Sequence, residues 1–523
     1  MTQIVSQMLS VVLSQQEYST LLRYFNVNET SIALKPYSSD NKSGFSLTRV
    51  IRTNLRLFAK VYILLIAVRN FRQAIASRSF AGLSFFDAQF ARIALSLSSI
   101  SASYKVLYKI LLKAQPRFTP FFKYVEEEQK KLQIPFAFES HTFTPFVAGL
   151  ASGSLIAIWP HSAGREILGV YVVVRAGEMV FNYIDDLGLL QKIKPKFFGS
   201  WALFPFAFSQ MFHSFFFNPE TNTNAVNRVL SKLSLDFMPS RPAGYVGDWP
   251  TPEQVVRNIS QVAVHNYPKF TSTLMFPNSS GDTYVPDYLR DVRPVVMRAH
   301  PSIKTMTGAI LHPFEPSNFK FYTEICLKKL SSIGKYVFAL YLVLGLISLR
   351  RERKRKDPEN SLSDERADTI IKALQTALQA VPKAVRTTVF IAMSTTSAWA
   401  NIELFQYLFG SRFLSKHRFK FSGFLAGLWA MIDQGSHTRG RYLFAFRAAG
   451  LSYWRVLVKE GRIKGAKGLE VWFFAWSFAI LMCLFDRNPK VVSGKFLRKV
   501  LGFIKNDEFK DTLSVEEEEI KTE

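Results

Sequence analysis

Charged residues inside apolar stretches are the side chains of this sequence best placed for binding chemistry. Arg175 and Arg447 each interrupt an apolar run, and Glu178 follows Arg175 by three positions. A charge at membrane depth is costly and usually faces the interior of a helix bundle, where it is paired or hydrated. The i,i+3 spacing puts Arg175 and Glu178 on one helical face, where they form a structural pair or contact a substrate or ion. The second run lacks a matching acid, so Arg447 needs another partner, for which Asp433 and Glu403 are the nearest candidates.

The motifs of common enzyme classes are absent from the sequence. It has 8 His but no His-Glu-x-x-His, and it contains no Walker loop, Gly-x-Gly-x-x-Gly or Gly-x-Ser-x-Gly. The carboxylate pair Asp185-Asp186 precedes Leu-Gly and is interpreted as a helix end, and His300 and His312 lie in a Pro-rich stretch. We therefore expect no catalytic residues, no cofactor and no metal site, and we expect that the protein is not an enzyme.

Composition restricts the class of protein. The 523 residues carry 66 Lys+Arg against 40 Asp+Glu, a formal charge of +26, and 48% are hydrophobic. This apolar content excludes intrinsic disorder, and 2 Cys exclude a disulfide scaffold. A nucleic-acid binder would concentrate its basic residues on one face or in one domain, whereas here they separate apolar stretches along the whole chain. We expect no nucleic-acid partner.

Apolar residues cluster into stretches near the roughly 20 residues that a membrane helix requires. Many of these stretches have Trp or Tyr near their ends and Lys or Arg in the gaps, as polytopic membrane proteins do. The candidate spanning or buried stretches are Leu55–Val68, Phe85–Leu112, Phe143–Trp159, Ile167–Ile184, Phe198–Phe217, Ile333–Leu349, Val385–Phe409, Phe421–Ile432, Tyr442–Val458 and Val471–Phe485.

Five landmarks occur twice in the same order, which indicates an internal repeat. The pairs are Phe146–Leu150 with Phe424–Leu428, Arg175 with Arg447, Asn218 with Asn488, Lys60 with Lys335, and Ile93 with Ile391. An odd number of spanning segments per copy would invert the second copy, as in secondary transporters, and an even number would make the copies parallel. The sequence leaves this parity open.

The predicted fold is an all-α polytopic membrane helix bundle of two similar halves, with about four or five spanning or buried helices in each half. A polar, Pro-containing connector joins the halves and lies outside the bilayer, because irregular backbone cannot face lipid. The predicted regions are a polar N-terminal segment (1–45), a first membrane repeat (46–218), the extramembrane connector (219–330), a second membrane repeat (331–490, with a charged insert at 350–383) and a charged C-terminal tail (491–523).

Paired glycines occupy matching segments of the two copies. Small residues four positions apart let helix backbones approach closely in lipid, so they predict helix packing within the chain or between protomers. These glycines are Gly149 with Gly153, and Gly423 with Gly427.

A block of basic residues follows one of the apolar stretches. Such residues beside a bilayer attract anionic lipid headgroups, and they predict a headgroup contact here. The block comprises Arg350, Arg351, Arg353, Lys354, Arg355 and Lys356.

The repeated Phe-x-Ala-Gly-Leu stretches, each followed by a basic turn and an aliphatic run ending in Arg-Ala, resemble the transmembrane protein 135 family. The segment from His312-Pro to Leu349 is similar to the middle of that family, and the resemblance covers roughly residues 45–220 and 310–490. The family is itself distantly similar to import-channel subunits of the mitochondrial inner membrane. It typically has a Cys-rich N-terminal region, whereas this chain has no Cys before Cys326.

The resemblance implies a multi-pass protein of peroxisomal or mitochondrial membranes that acts in organelle dynamics or in fatty-acid or sterol handling. It brings no catalytic residues. The expected partners are the lipid bilayer and its anionic lipids, with a second copy of the chain or other organelle membrane proteins also possible partners. The alternative function is a secondary carrier or channel-like transporter, which the internal repeat and the intramembrane arginines favour.

Overall fold

The structure is a computed structural model. It describes residues 47–505 except for 78–85, 132–139, 189–198, 273, 275–284, 354–363, 411, 436–437 and 464–467. The described chain is helical, and its only extended pairing is a single antiparallel bridge between Lys269 and Thr305.

The helices follow the apolar stretches of the sequence and extend beyond most of them. They are α1 (Leu47–Ser77), α2 (Ala88–Lys131), α3 (Ser140–Gly153), α4 (Arg165–Asp186), α5 (Leu203–Phe217), α6 (Asn224–Ser234), α7 (Pro252–Val264), α8 (Arg293–Val296), α9 (Met306–Leu311), α10 (Asn318–Arg353), α11 (Asp364–Phe409), α12 (Arg418–Gly427), α13 (Arg439–Lys459), α14 (Leu469–Arg487) and α15 (Lys495–Lys505).

Local sequence explains where several of these helices begin and end. The side chain of Thr251 caps α7 and forms a reciprocal capping box with Gln254, and Pro252 occupies the first helical position. Helices α5 and α14 each end immediately before an Asn-Pro pair, whose proline starts a short 3-10 turn. Proline cannot supply the backbone N–H that would continue an α-helix, so both helices stop at the same signal.

The chain divides into two compact units that do not follow the order of the sequence. The first unit contains residues 1–194 and 465–523, and the second contains 195–464. The first unit therefore combines α1–α4 from the N-terminal part of the chain with α14 and α15 from its end.

In the first unit, α14 packs against α3 and α4, α2 packs against α1 and α3, and α15 lies on α2. The core forms where α14 meets these helices. Phe478 and Met482 of α14 are buried with Tyr104 of α2, Ala148 of α3 and Met179 of α4. Aromatic and aliphatic side chains at helical spacing produce this buried face.

In the second unit, α5 packs against α12 and α13, while α11 packs against α10 and α12. Aromatic rings fill the centre: the ring centroids of Phe216 and Phe419 are 4.6 Å apart, and those of Phe216 and Trp399 are 5.3 Å apart. Offset or edge-on aromatic pairs of this kind add about 0.5–1.5 kcal/mol beyond the area that they bury.

The segment predicted as a polar connector contributes to this second core. Helices α7 and α9 contact each other, α7 contacts α5, and Ile259, Leu289 and Ile310 are fully buried. Helix α10 begins at Asn318, within the predicted connector, because Tyr322 and Ile325 give its first turns a buried face. Predicted charged-insert residues 364–383 belong to α11, which runs through Pro382 to Phe409.

Three helical segments are long and apolar enough to cross a membrane: Arg165–Asp186, Asn318–Ile347 and Leu469–Arg487. A shorter apolar stretch covers Thr142–Ile158. None of the residues in the apolar 18-residue stretch of α10 is buried. Soluble monomers rarely expose so continuous an apolar surface, and a bilayer would cover it.

Candidate functional site

Among the residues that the structure describes, the most enclosed ion pair lies in the second unit, where the turn after α9 meets α11. His312 Nε2 is 3.1 Å from both carboxylate oxygens of Glu403, and both side chains are about 98% buried or more. Burying two such groups is favourable only when they are paired and their remaining polar atoms have partners.

The bonding pattern of His312 is the one expected for a charged imidazolium beside a carboxylate. Its Nδ1 is 2.8 Å from the carbonyl oxygen of Glu315, which only accepts a hydrogen bond, so this nitrogen donates. Its Nε2 faces the carboxylate of Glu403 and donates as well. Burial lowers the pKa of His312, but its hydrogen bonds and the charge of Glu403 more than offset this and raise the pKa above its ordinary value.

Two side chains at the start of α10 complete the carboxylate's bonding. Asn318 Nδ2 donates to Glu403 Oε2 at 2.6 Å, and the Tyr322 hydroxyl donates to Oε1 at 3.2 Å. These donors are one helical turn apart, so both reach the same carboxylate on α11. The site thus joins α9, α10 and α11 through a single acid.

A groove between α10 and α11 has this acid in its floor. The cavity is about 580 Å³, within the range typical of small-molecule sites. Its walls include Phe319, Leu327, Leu404 and Tyr407, which are all exposed at the rim. Thr396 also lines the groove, and its hydroxyl is buried and has no hydrogen-bond partner in the described chain. The groove therefore combines an apolar wall with an unsatisfied polar atom and a neutralised ion pair.

A second buried acid lies elsewhere in the second unit. Asp433 accepts hydrogen bonds from Thr387 Oγ1 at 3.2 Å and from Arg441 Nη2 at 2.8 Å. The Tyr341 hydroxyl lies 3.0 Å from Thr387 Oγ1, so the network links α10, α11 and α13. This acid is partnered within the protein, and it does not line the groove between α10 and α11.

The structure brings together the two residues Arg175 and Glu178, which the i,i+3 spacing places on one face. Arg175 Nη1 donates to Glu178 Oε2 at 2.5 Å, and Glu178 Oε1 accepts from the hydroxyl of Ser493 at 2.5 Å. The guanidinium also lies over the ring of Tyr171, with its Cζ 5.6 Å from the ring centroid. These partners favour the structural role over the substrate or ion role.

The contact that the structure gives for Arg447 is with the backbone of its own helix. Its Nε donates to the backbone carbonyl of Leu443 at 3.1 Å. Both carboxylates considered for Arg447 are bound by other cations, Asp433 by Arg441 and Glu403 by His312.

Both glycine pairs lie at close helix–helix contacts. A Cβ built on Gly149 of α3 would lie 2.8 Å from the Cα of Ala479 in α14. A Cβ built on Gly153 would lie 2.9 Å from the Cα of Ala475 in the same helix. A Cβ on Gly427 of α12 would lie 2.5 Å from the Cα of Pro205, at the start of α5. Real Cβ atoms do not approach backbone this closely, so only glycine permits these helices to touch.

Gly423 repeats this arrangement one turn earlier in α12. A Cβ there would lie 2.8 Å from the Cα of Ser209 and 3.0 Å from the carbonyl oxygen of Phe208, both in α5. The four glycines thus serve packing inside each unit.

Replacing Gly153 by Ala is expected to destabilise the protein by about 1–3 kcal/mol, because the new methyl group forces α3 away from α14. Gly177→Ala in α4 is the matched control, since nothing lies within 4 Å of a Cβ there and alanine favours a helix interior. Thermal unfolding of the detergent-purified variants measures both effects. Equal unfolding temperatures for the two variants would contradict the packing role.

The basic block lies at the end of α10. Arg350, Arg351 and Arg353 belong to the last turn of this helix. Lys354, Arg355 and Lys356 lie outside the described residues. Within the described chain, no group of His, Cys, Asp and Glu is arranged to hold a metal ion.

Sequence reasoning missed the His312–Glu403 pair and its groove. The two residues are 91 positions apart, and His312 looked like one of several scattered histidines. Two signals could have directed attention to it: Glu403 is the only acid in the apolar stretch Val385–Phe409, and His312-Pro immediately precedes an apolar helix. Comparisons with protein families, with curated proteins and with solved structures find no match to this chain.

Proposed function

We propose that this chain is a multi-pass membrane protein that binds a neutral, hydroxyl-bearing lipid in the groove between α10 and α11. The groove carries the proposal, because its apolar rim and polar floor are matched to an amphipathic molecule. The exposed apolar length of α10 supports a position in the bilayer, from which a lipid reaches the groove without crossing water.

The chemistry of the floor favours a hydroxyl over a carboxylate head group. Thr396 lines the groove and has a buried hydroxyl without a partner in the described chain, and rotation of this side chain about χ1 would let the hydroxyl bond to a ligand hydroxyl. The carboxylate of Glu403 is matched in charge by His312, so a second carboxylate would enter beside an ion pair that has no cation to spare. A free fatty acid is therefore disfavoured relative to an uncharged lipid such as a sterol or a monoacylglycerol.

The packing of the two units supports an internal repeat with an exchanged helix. Helices α3 and α12 carry the matching glycines, and each touches the helix that precedes an Asn-Pro pair: α14 for α3, and α5 for α12. By sequence, α5 closes the first copy and α14 closes the second. We infer that each copy lends its last long helix to the unit built mainly from the other copy.

A peroxisomal or mitochondrial location, a role in organelle dynamics and a place in the transmembrane protein 135 family are part of the same proposal. They rest on the sequence motifs that carry the resemblance. The proposed action is lipid handling without covalent chemistry, and a homo-oligomer or other membrane proteins are its proposed partners. A carrier function is the second candidate, which the repeated units favour.

Ala400→Trp is expected to block the groove, since Ala400 lines it and the indole adds a large side chain. With a hydroxyl-headed lipid probe that bears a photoreactive diazirine, labelling of the full-length protein should fall at least tenfold. Leu378→Trp, on an exposed position of the same helix, is the matched control and should label like the wild type. Thr396→Val should weaken labelling about fivefold, the effect of one lost hydrogen bond.

The following outcomes test the groove as the binding site, the preference for a neutral head group and the carrier function. Equal labelling of Ala400→Trp and wild type, or labelled peptides that lie outside α10 and α11, would exclude the groove as the site. Stronger labelling by the matching free fatty acid would overturn the preference for a neutral head group. Net lipid movement across proteoliposomes, lost in Ala400→Trp, would favour the carrier.

A further inference from the structure

The turn between α11 and α12, together with the first turn of α12, carries a set of cations that the protein does not neutralise. Residues 404–432 contain no Asp or Glu. Arg412, Lys416 and Lys420, here called the cationic turn, have no ion-pair partner in the part of the chain that the structure describes. Exposed cations elsewhere in the second unit do find acids: Lys459 pairs with Glu220, for example.

Apolar side chains surround the cationic turn and face outward. Leu408 and Phe409 end α11, Phe413 lies in the turn, and Phe421 lies in the first half of α12. Their exposures are 57%, 48%, 58% and 53%. Cations interleaved with exposed aromatic and aliphatic side chains match the boundary between lipid headgroups and acyl chains.

The shape of the turn is set by a neighbouring arginine that is itself buried. Arg418 Nε donates to the carbonyl oxygen of Phe413 at 2.9 Å, and its Nη2 donates to that of Gly410. Leu414 adopts a left-handed backbone conformation with φ of 47°. A non-glycine residue keeps this costly conformation only when its surroundings hold it there. Arg412 and Lys416, which are exposed, thus lie on a segment held by buried contacts, and the half-buried Lys420 follows in the first turn of α12.

We propose that the cationic turn docks on the anionic phospholipids of a bilayer surface, with Leu408, Phe409 and Phe413 entering the interface beside the headgroups. Charge complementarity identifies the partner: three uncompensated cations complement phosphate-bearing anions, and the flanking apolar side chains complement a lipid phase. This surface is distinct from the ligand groove and does not depend on it. It is also a headgroup site separate from the basic block after α10.

Binding of short-chain phosphatidylglycerol to the full-length protein, counted by native mass spectrometry, tests the proposal. Each lost cation should weaken binding about fivefold, so Arg412→Gln/Lys416→Gln/Lys420→Gln should weaken it about a hundredfold. The matched control is Lys232→Gln/Arg290→Gln/Lys304→Gln, which removes three exposed cations of the connector and should leave binding unchanged. Wild-type binding should also fall between about 0.1 M and about 1 M salt, because screening shortens the reach of each charge.

Several results would overturn the proposal. These are equal phosphatidylglycerol binding by both triple variants, equal binding of short-chain phosphatidylcholine by the wild type, and saturation of the turn by inorganic phosphate alone. Dissociation of a purified dimer by the turn variant, without any change in lipid binding, would assign the surface to a second copy instead. Arg412→Lys/Lys416→Arg/Lys420→Arg keeps the charges and must retain binding, which separates loss of charge from loss of fold.

Discussion

Two fragments of this chain, cut between Leu274 and Val285, are expected to accumulate when they are expressed together and to be degraded when they are expressed apart. The N-terminal fragment contains α1–α4 but lacks α14 and α15, which belong to the same compact unit. Without α14, the glycine face of α3 and the core around Tyr104 lose their partner. The C-terminal fragment lacks α5, on which α12 and α13 pack.

Co-purification of the two differently tagged fragments from membranes measures this effect. A one-to-one complex that survives detergent, together with loss of at least nine-tenths of each fragment alone, is the expected result. Truncation after Lys505, which removes the acidic tail but leaves α15, is the control and should accumulate like the intact chain. Stable accumulation of either fragment alone would mean that its helices do not need those of the other fragment.

Removal of the Glu403 carboxylate is expected to cost about 3–5 kcal/mol, the penalty for leaving a buried charge without its partner. Glu403→Ala strands the imidazolium of His312 and removes the acceptor of Asn318 and Tyr322. Glu324→Ala, on an exposed face of α10, is the matched control and should stay within about 0.5 kcal/mol of wild type. Denaturant or thermal unfolding in detergent gives both values.

The same pair predicts a pH dependence of stability. Because the folded protein raises the pKa of His312, the stabilisation from its charge is fully present below the ordinary histidine pKa of about 6.5. It is lost as pH rises through the raised value. The difference in unfolding free energy between wild type and His312→Gln should therefore be largest near pH 6 and shrink toward pH 9. A difference that stays constant over this range would show that His312 is neutral in the folded protein.

Much of the helical structure could be predicted from local sequence. The stretch Ile167–Ile184 lies within Arg165–Asp186, and Val471–Phe485 lies within Leu469–Arg487, because long apolar runs without proline form helices in almost any environment. The pair Arg175–Glu178 is likewise local, since i,i+3 spacing alone brings the side chains together.

The partners of these helices could not be predicted in the same way. The spacing of Gly149 and Gly153 predicts a close helix contact, but no neighbouring residue identifies Ala479 as the residue that Gly149 touches. Many prolines and the lack of a long apolar run predict a polar connector. Val255, Ile259 and Val262 nevertheless repeat at helical spacing and are buried in the second core. A short amphipathic helix between prolines contains no long apolar run, so a search for such runs does not predict it.

The pairing of residues in the candidate site also could not be predicted from the sequence. Glu403 was noticed only as a possible partner of Arg447, and its true partner His312 lies on another element 91 positions away. Opposite charges in one sequence identify which groups need partners. The fold decides which of them meet, because many pairings satisfy the charges equally well.

The packing of α14 into the first unit determines when that unit can finish folding during synthesis. Gly149 and its neighbour Ala479 are 330 positions apart. A ribosome that adds roughly 5–20 residues per second needs about 15–65 s to make the second residue after the first. During that interval α3 is already made, but its glycine face has no α14 to cover it. The first unit is thus completed only after α14 has been synthesised, and a chaperone or insertase has that interval in which to hold α3.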